Sequence, residues 1–158
     1  MFEYKYPHPA VTVDIIILRN VFCPITAGRI GKLNIFGSLY KQQEVLLIKR
    51  GSEPFKDCWA LPGGHAEPNE TLEAAAAREL YEETNVANVK LVQKGTYSDP
   101  GRDPRGWYIT VVYSALVPAG TTATAGDDAK ETRWFPVRQL PENLAFDHGK
   151  ILKDVILA

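Results

Sequence analysis

The sequence has no long hydrophobic run and almost no net charge, and each shortage excludes a class of protein. The apolar stretch at residues 10–18 is too short to span a membrane and contains Asp14. The N-terminal residues, MFEYKYPHP, lack the apolar core of a signal peptide. A formal net charge of −1 supplies no basic surface for nucleic acid or for an anionic membrane. We therefore expect a small-molecule partner, and neither nucleic acid nor a membrane.

Cysteine is also scarce. The 158 residues contain two cysteines, Cys23 and Cys58, which we expect to be free thiols of a cytoplasmic protein. The hydrophobic fraction of 45% and the charged fraction of 23% are those of an ordinary globular protein. A chain of this length can bury a core without disulfides, so we expect a single domain over residues 1–158.

The segment at residues 63–86, GGHAEPNETLEAAAARELYEETNV, has the strongest local pattern. Residues 70–84 are rich in alanine, leucine and glutamate and contain neither glycine nor proline, which predicts a helix. Thr71 or Asn69 is expected to cap its start. Asn85 is expected to end it, because asparagine tolerates the left-handed backbone of a helix terminus.

Three carboxylates fall on one side of this helix at spacings of three and four residues: Glu79, Glu82 and Glu83. A solvated acidic face is the ordinary explanation of such a pattern. Here, however, Glu79 and Glu83 border the apolar stripe that contains Leu80. Like charges at this spacing repel, and a hard cation such as Mg²⁺ or Mn²⁺ would offset the repulsion.

The spacing of the specified residues in this segment resembles the Nudix box, with one departure. Asn85 stands where the family has glycine. Because asparagine adopts the same backbone conformation, we expect Asn85→Gly to be neutral or mildly stabilising. The matching residues are Gly64, Glu70, Arg78, Glu79, Leu80, Glu82, Glu83 and Val86.

The resemblance implies an α/β fold, a Nudix-type α/β/α sandwich with a mixed β-sheet. It also implies metal-dependent hydrolysis of a nucleoside diphosphate joined to another group. The Gly63 carbonyl and the three carboxylates would bind Mg²⁺ or Mn²⁺, with Asp128 as a further ligand. Arg78 belongs to the catalytic set and would orient Glu70 or a neighbouring carboxylate. The general base is left open among Glu79, Asp127, Asp128 and Glu131.

The loop at residues 98–106 contains the block GRDPRG. This block, with Pro100 and the strand that follows, resembles the branch of the family that handles ADP-ribose. Arg102 and Arg105 suit bidentate phosphate binding, and Trp107 or Tyr108 could offer a face to the adenine ring. The alternative is that the two arginines pair with Asp99 and Asp103 and merely stiffen the loop.

The resemblance therefore makes ADP-ribose, cleaved to AMP and ribose 5-phosphate, the first expected substrate. A nucleoside triphosphate, oxidised or ordinary, is the alternative. A non-enzymatic ADP-ribose sensor is a third possibility, but such regulators add a DNA-binding module, which we do not expect in this chain, and tend to lose box acids. The resemblance also suggests a homodimer.

The remaining pattern predicts strands, one further helix and several structural polar residues. Residues 20–43 are hard to interpret, with a hairpin arm suggested at 32–40. Asp14 is expected to be a structural residue, the pair at 147–148 a helix cap, and His65 is assigned no chemistry. The predicted strands are 10–19, 44–50, 59–61, 89–97, 107–117 and 131–137, with a tight turn at 62–64 and a helix at 149–157.

Overall fold

The computed structural model describes residues 5–24, 39–126 and 129–156. The hairpin arm suggested at 32–40 falls almost entirely outside these ranges, as do Asp127 and Asp128. The described residues form seven strands and two helices: β1 (Ala10–Pro24), β2 (Leu39–Arg50), β3 (Trp59–Ala60), β4 (Gly63–His65), α1 (Leu72–Thr84), β5 (Val92–Tyr97), β6 (Tyr108–Val117), β7 (Ala129–Pro136) and α2 (His148–Ile156).

The strands form one mixed sheet with β1 near its centre. The order is β3-β2-β1-β6-β5, with β4 added to β1 and β7 added to β2. β1 runs parallel to β6, and the other pairs are antiparallel. This arrangement brings the ends of β1 and β2 together with the β3–β4 connection, where the site described below is built.

The two faces of the sheet carry separate cores because successive side chains of a strand point to opposite sides. Ile15 and Ile17 of β1 pack in one core with Ala76 and Leu80 of α1. Ile16 packs in the other, with Ile151 and Leu152 of α2. One helix therefore covers each face. The predicted α/β/α sandwich with a mixed sheet is confirmed.

The segment predicted as a tight turn, residues 62–64, is different in the structure. Gly63 and Gly64 belong to β4, which pairs with Val13 and Asp14 of β1. The prediction was wrong because two glycines after a proline are typical of turns, whereas here they allow close approach. A Cβ at Gly63 would collide with the Val13 carbonyl, and one at Gly64 with the Glu79 carboxylate. The glycine pair thus lets β4 lie directly against both β1 and α1.

The ends of α1 follow the sequence prediction. The Thr71 hydroxyl accepts the Ala74 N–H at 3.1 Å and caps the start, so Thr71 rather than Asn69 is the cap. Asn85 has φ 57° and ψ 17°, the left-handed conformation, and its N–H donates to the Tyr81 carbonyl. Local sequence therefore determines where α1 begins and ends.

The Asn85 side chain has a second role that the pattern does not reveal. Its amide donates to the carbonyl and the hydroxyl of Thr124, at 3.1 and 3.0 Å. The Thr124 N–H in turn donates to the Thr84 carbonyl, and the Gly126 N–H to the Glu83 carbonyl. These bonds satisfy carbonyls that a helix end leaves without partners. Asn85 thus ties residues 124–126 to the end of α1.

Two smaller predictions concern the cysteines and the membrane. Cys23 and Cys58 are free thiols, as predicted. Among the helices that the structure describes, none has the length and apolar character needed to cross a membrane.

We expect Asn85→Gly to lower the free energy of unfolding by about 1 kcal/mol, because the left-handed backbone is kept while the bonds to Thr124 are lost. Asn85→Val should cost more, since a β-branched residue resists that conformation. Asn88 supplies a matched control, because it has the same φ of 57° and its side chain makes no hydrogen bond among the described residues.

Asn88→Gly should accordingly be neutral or mildly stabilising. Urea unfolding of the four proteins measures these differences. If the parent and Asn85→Gly are equally stable, the hydrogen bonds from Asn85 to Thr124 do not stabilise the fold, and the expectation made from the sequence holds.

Candidate active site

A cleft of about 320 Å³ opens where α1, β1, β2 and the β3–β4 connection meet. The loop at residues 98–106 and the start of α2 form its other wall. The charged residues that line it come from both walls: Asp14, Arg50, Glu53, Glu67, Glu79, Glu83, Arg102, Asp103 and Arg105. The cleft thus brings anionic and cationic groups of distant segments into one space.

The guanidinium of Arg78 joins the acidic residues of the box. It donates to Glu70 at 2.7 Å, to Glu79 at 2.9 Å and to Glu82 at 3.1 Å. It also donates to the His65 carbonyl at 3.0 Å. The planar fork of an arginine can satisfy several oxygens at once, and these contacts raise the Arg78 pKa above its ordinary value. Arg78 therefore contacts both Glu70 and the neighbouring carboxylates, which were the alternatives that the sequence left open for it.

Glu83 is the buried member of the acidic set. Its residue is 9% exposed, and its Oε2 accepts the Gly63 N–H at 2.9 Å. Burial raises the pKa of Glu83 to about 8, since removing a carboxylate from water disfavours its charged form. A group in this state gains most from a nearby cation.

Glu79 and Glu82 differ in exposure. The Glu79 carboxylate lies against Gly64, and burial raises its pKa although Arg78 opposes the shift. The Glu82 side chain is 40% exposed and does not line the cleft. The structure therefore brings Glu79 and Glu83 together with Gly63 in the cleft lining, which does not include Glu82.

The donor set suits a hard divalent cation. The carboxylates of Glu79, Glu82 and Glu83 each use one oxygen in a hydrogen bond, and the other oxygen accepts none from the described residues. Carboxylate oxygens are the preferred ligands of Mg²⁺ and Mn²⁺. Within the described ranges, no three His, Cys, Asp or Glu side chains converge tightly enough to form a ready metal site. The chemistry fits a metal whose shell is completed by other oxygens, those of a phosphate included.

Arg102 is held by protein carboxylates. It donates two hydrogen bonds to Asp147, at 2.9 and 2.7 Å, and lies 3.6 Å from Asp14. Its side chain is 4% exposed. The bracing alternative, in which the two arginines pair with Asp99 and Asp103 and stiffen the loop, is thus right that Arg102 pairs with a carboxylate. It names the wrong partner, since Asp99 pairs with Lys150. No pattern in the sequence links Arg102 to a residue so far along the chain.

Arg105 pairs with Asp103, as the bracing alternative proposed, yet it also faces the cleft. It contacts Asp103 at 2.7 Å, and its guanidinium lies 4.6 Å from the Tyr108 ring centroid and 5.4 Å from that of Phe146. Its side chain is 36% exposed. Trp107 is 55% exposed and does not line the cleft. Of the residues predicted to touch substrate, Arg105 is the best placed.

Arg50 was not singled out from the sequence, where it is the last residue of a strand. It lines the cleft, donates to the Pro54 carbonyl at 2.8 Å and lies 5.0 Å from the Phe146 ring centroid. It forms no salt bridge with any described carboxylate. Burial and the nearby charge of Arg105 lower the Arg50 pKa. Its charge is therefore available to an anion in the cleft.

Asp14 and His148 lie at the floor of the cleft, buried and in contact. Asp14 accepts from the Thr110 hydroxyl at 2.7 Å, and the His148 Nε2 lies 3.3 Å from its other oxygen. Burial raises the pKa of Asp14, but His148, Thr110 and Arg102 together lower it below the ordinary value. The predicted structural role of Asp14 agrees with these contacts.

Asp147 directly precedes α2, where a helix cap was predicted. Its carboxylate instead accepts hydrogen bonds from Arg102. Away from the floor of the cleft, His65 packs edge-on against Tyr108, and burial lowers the pKa of His65.

The structure describes only some of the candidate general bases. Glu131 lies on β7, bonded to Arg133 and away from the cleft lining. Asp127 and Asp128 lie outside the described residues.

Comparison with known proteins places this geometry in a family. A model of the NUDIX domain matches residues 34–155. The chain is 44% identical over 149 residues to the ADP-ribose pyrophosphatase of Methanocaldococcus jannaschii, covering 94% of this chain and 74% of that protein. It is 34% identical over 151 residues to the ADPR responsive transcriptional repressor NtrR of Acinetobacter baylyi, covering 94% of this chain but 53% of the repressor.

Among solved structures, it resembles the NUDIX domain of Shewanella oneidensis NrtR complexed with ADP ribose. The TM-score is 0.73 with 29% identity, over 94% of this chain and 86% of that one. The family-model match covers most of the residues, including the glycine pair and the acidic helix. The chain therefore belongs to the Nudix family.

Proposed function

We propose that this Nudix hydrolase cleaves ADP-ribose to AMP and ribose 5-phosphate with the help of Mg²⁺ or Mn²⁺. One observation carries the proposal: the cleft sets buried carboxylates on α1 opposite two arginines, Arg50 and Arg105. A diphosphate needs both, because metal ions on one side and guanidinium groups on the other can share its negative charge. The relative from Methanocaldococcus jannaschii supports ADP-ribose as the diphosphate compound.

Glu79, Glu82 and Glu83, together with the Gly63 carbonyl, would hold the cation, and Asp128 would supply a further ligand. When bound, such a cation neutralises phosphate charge and makes a coordinated water more acidic. Arg78 keeps Glu79 and Glu82 oriented through its hydrogen bonds, and the Gly63 N–H does the same for Glu83. The side chains are thus fixed before substrate arrives.

In the proposed hydrolysis, the oxygen of water attacks one phosphorus and the bond from that phosphorus to the bridging oxygen breaks. A carboxylate accepts the proton of the attacking water. Glu79 is suited to this role, because burial raises its pKa while Arg78 keeps it oriented. Asp127, Asp128 and Glu131 remain the alternatives, although Glu131 is not among the residues that line the cleft.

The arginines would fix the rest of the substrate. The guanidinium groups of Arg50 and Arg105 both lie near the Phe146 ring, 5.0 and 5.4 Å from its centroid, and would bind oxygens of the diphosphate or of the terminal ribose. His65 lines the cleft, edge-on to Tyr108, and its ring could stack on an adenine. Trp107 and Tyr108 are weaker candidates for that role, because neither lines the cleft.

A nucleoside triphosphate is the alternative substrate, since the same carboxylates and arginines suit any polyphosphate. An ADP-ribose sensor is the alternative of another class, supported by the similarity to the Acinetobacter baylyi repressor. The box acids are all present, and Arg78 bonds three of them, which favours turnover. We further propose, from the family resemblance, that the protein is a cytoplasmic homodimer.

The substrate proposal is tested with Arg105→Ala and its matched control Arg102→Ala. With Mg²⁺ present, ADP-ribose should be hydrolysed with a higher kcat/KM than any nucleoside triphosphate. Arg105→Ala should lose about tenfold or more in kcat/KM on ADP-ribose, and less on a triphosphate, because it removes a contact to one substrate. Arg102→Ala should mainly lower thermal stability, since it removes a buried guanidinium and leaves the partly buried Asp147 carboxylate without this partner.

Steady-state assays of phosphatase-sensitive products measure both variants, with Glu83→Gln as the inactive reference. A better kcat/KM for triphosphates in the parent, or an equal loss on both substrates in Arg105→Ala, would contradict the ADP-ribose assignment. Tight ADP-ribose binding without hydrolysis would favour the sensor.

The metal proposal makes a prediction about pH. The folded protein holds the Glu83 proton more tightly than the unfolded chain does, with a pKa of about 8 against an ordinary 4.5. This contribution to stability is complete below the ordinary pKa and is lost as pH rises towards 8. The melting temperature of metal-free protein should therefore fall over this range, and Mg²⁺ should raise it most at the alkaline end.

Thermal melts with and without Mg²⁺ across this pH range check the prediction. Glu83→Gln, which cannot titrate, is the control and should show a flatter profile and little response to Mg²⁺. Identical pH profiles for the parent and Glu83→Gln would show that Glu83 is not the titrating group.

A further inference from the structure

His148 is buried at the floor of the cleft, 3% exposed, with both ring nitrogens in contact. Its Nδ1 accepts the N–H of Leu61 at 2.9 Å. Its Nε2 lies 3.3 Å from Oδ1 of Asp14. A nitrogen that accepts a hydrogen bond carries no proton, so the neutral ring is protonated on Nε2 and donates to Asp14.

The residue held by His148 begins the connection between β3 and β4. Leu61 is followed by Pro62, whose carbonyl accepts the Ile15 N–H at 2.8 Å. Next comes Gly63, whose N–H donates to Glu83 at 2.9 Å. The backbone groups of Leu61, Pro62 and Gly63 are thus hydrogen-bonded to His148, to β1 and to α1, respectively. A shift at Leu61 would move the Gly63 N–H away from the Glu83 carboxylate.

The imidazole is itself held firmly. Asp14 accepts a second hydrogen bond from Thr110 and lies opposite Gly63 in the β1–β4 register. The segment before His148 is stitched to β3, because the Ala145 N–H donates to the Trp59 carbonyl at 2.8 Å. His148 therefore transmits the position of α2 and β1 to the glycine of the site.

We propose that His148 is a positioning residue of the active site. Its Nδ1 holds Leu61 so that the Gly63 N–H meets Glu83, and the carboxylate then presents its open oxygen to the metal. The inference rests on the proposed function in one respect, that Glu83 binds the cation. Residues that orient metal ligands typically contribute about 10- to 100-fold to metal affinity.

The competing explanation is that His148 only satisfies buried polar groups in the core. That explanation predicts a loss of stability when His148 is replaced and no specific effect on metal affinity. The two variants His148→Asn and His148→Gln separate the explanations, since both are polar and of similar size. The Asn carbonyl takes the place of Nδ1 and can accept the Leu61 N–H. The Gln amide reaches the place of Nε2 and leaves Leu61 without an acceptor.

The experiment measures the Mn²⁺ dissociation constant of the full chain by electron paramagnetic resonance, without substrate, and the melting temperature of each variant. We expect His148→Gln to bind Mn²⁺ about tenfold more weakly or worse, and His148→Asn to stay close to the parent, although both melt at lower temperature. Parent-like Mn²⁺ affinity in folded His148→Gln, or an equal loss in both variants, would overturn the positioning role.

Glu83→Gln distinguishes this failure from failure of the proposed function. If the parent does not bind Mn²⁺, or Glu83→Gln binds it as the parent does, the metal proposal falls and this inference falls with it. A measurement on the parent needs no variant to fold: the ¹⁵N shifts of the His148 ring should report a proton on Nε2. A proton on Nδ1 would overturn the inference, since the Leu61 N–H would then have no acceptor.

Discussion

The site depends first on one guanidinium. Glu70, Glu79 and Glu82 project from α1 and the loop before it, and they would repel one another without a shared partner. Arg78 bonds all three and the His65 carbonyl as well. The acidic face is thereby kept as a fixed array, which a cation can enter with little further ordering. A solvated face would not need such a residue at its centre.

On the opposite wall of the cleft, carboxylates hold other side chains in place. Asp147 holds Arg102, Asp103 holds Arg105, and Asp14 holds His148. These pairs join the loop at residues 98–106 to α2 and β1. They leave Arg50 without a carboxylate partner among the described residues. The carboxylates of this wall thus neutralise Arg102 and Arg105, whereas the charge of Arg50 is left to attract an anion such as a diphosphate.

The sequence predicted well those features that short-range pattern determines. Thr71 and Asn85 at the ends of α1 follow from the capping preferences of threonine and asparagine. The grouping of Glu79 with Glu83 and the alternation of β1 follow from periods of 3.6 and 2. Long-range contacts were invisible to it. Leu61 and His148 are 87 residues apart, and Arg102 and Asp147 are 45 apart. The Arg50 side chain becomes a site residue only because the fold places it beside Phe146.

The errors have the same physical origin. Glycine pairs occur both in turns and in strands that must approach a neighbour closely, and only β1 and Glu79 show which applies to β4. Arginines in a proline-stiffened loop suit phosphate or carboxylate equally, and the partners of Arg102 lie in distant segments. Such choices are settled by tertiary contacts, which a single sequence does not reveal.

The most direct test of this account is the Mn²⁺ dissociation constant of Arg78→Lys compared with Arg78→Gln. Lysine keeps the positive charge, but a single ammonium group cannot hold the oxygens that Arg78 holds. If Arg78 orders the carboxylates, Arg78→Lys should bind Mn²⁺ about tenfold more weakly than the parent, although its charge is unchanged. Parent-like affinity in Arg78→Lys, with tighter binding in Arg78→Gln, would show that Arg78 acts on the site through charge alone and would contradict the account.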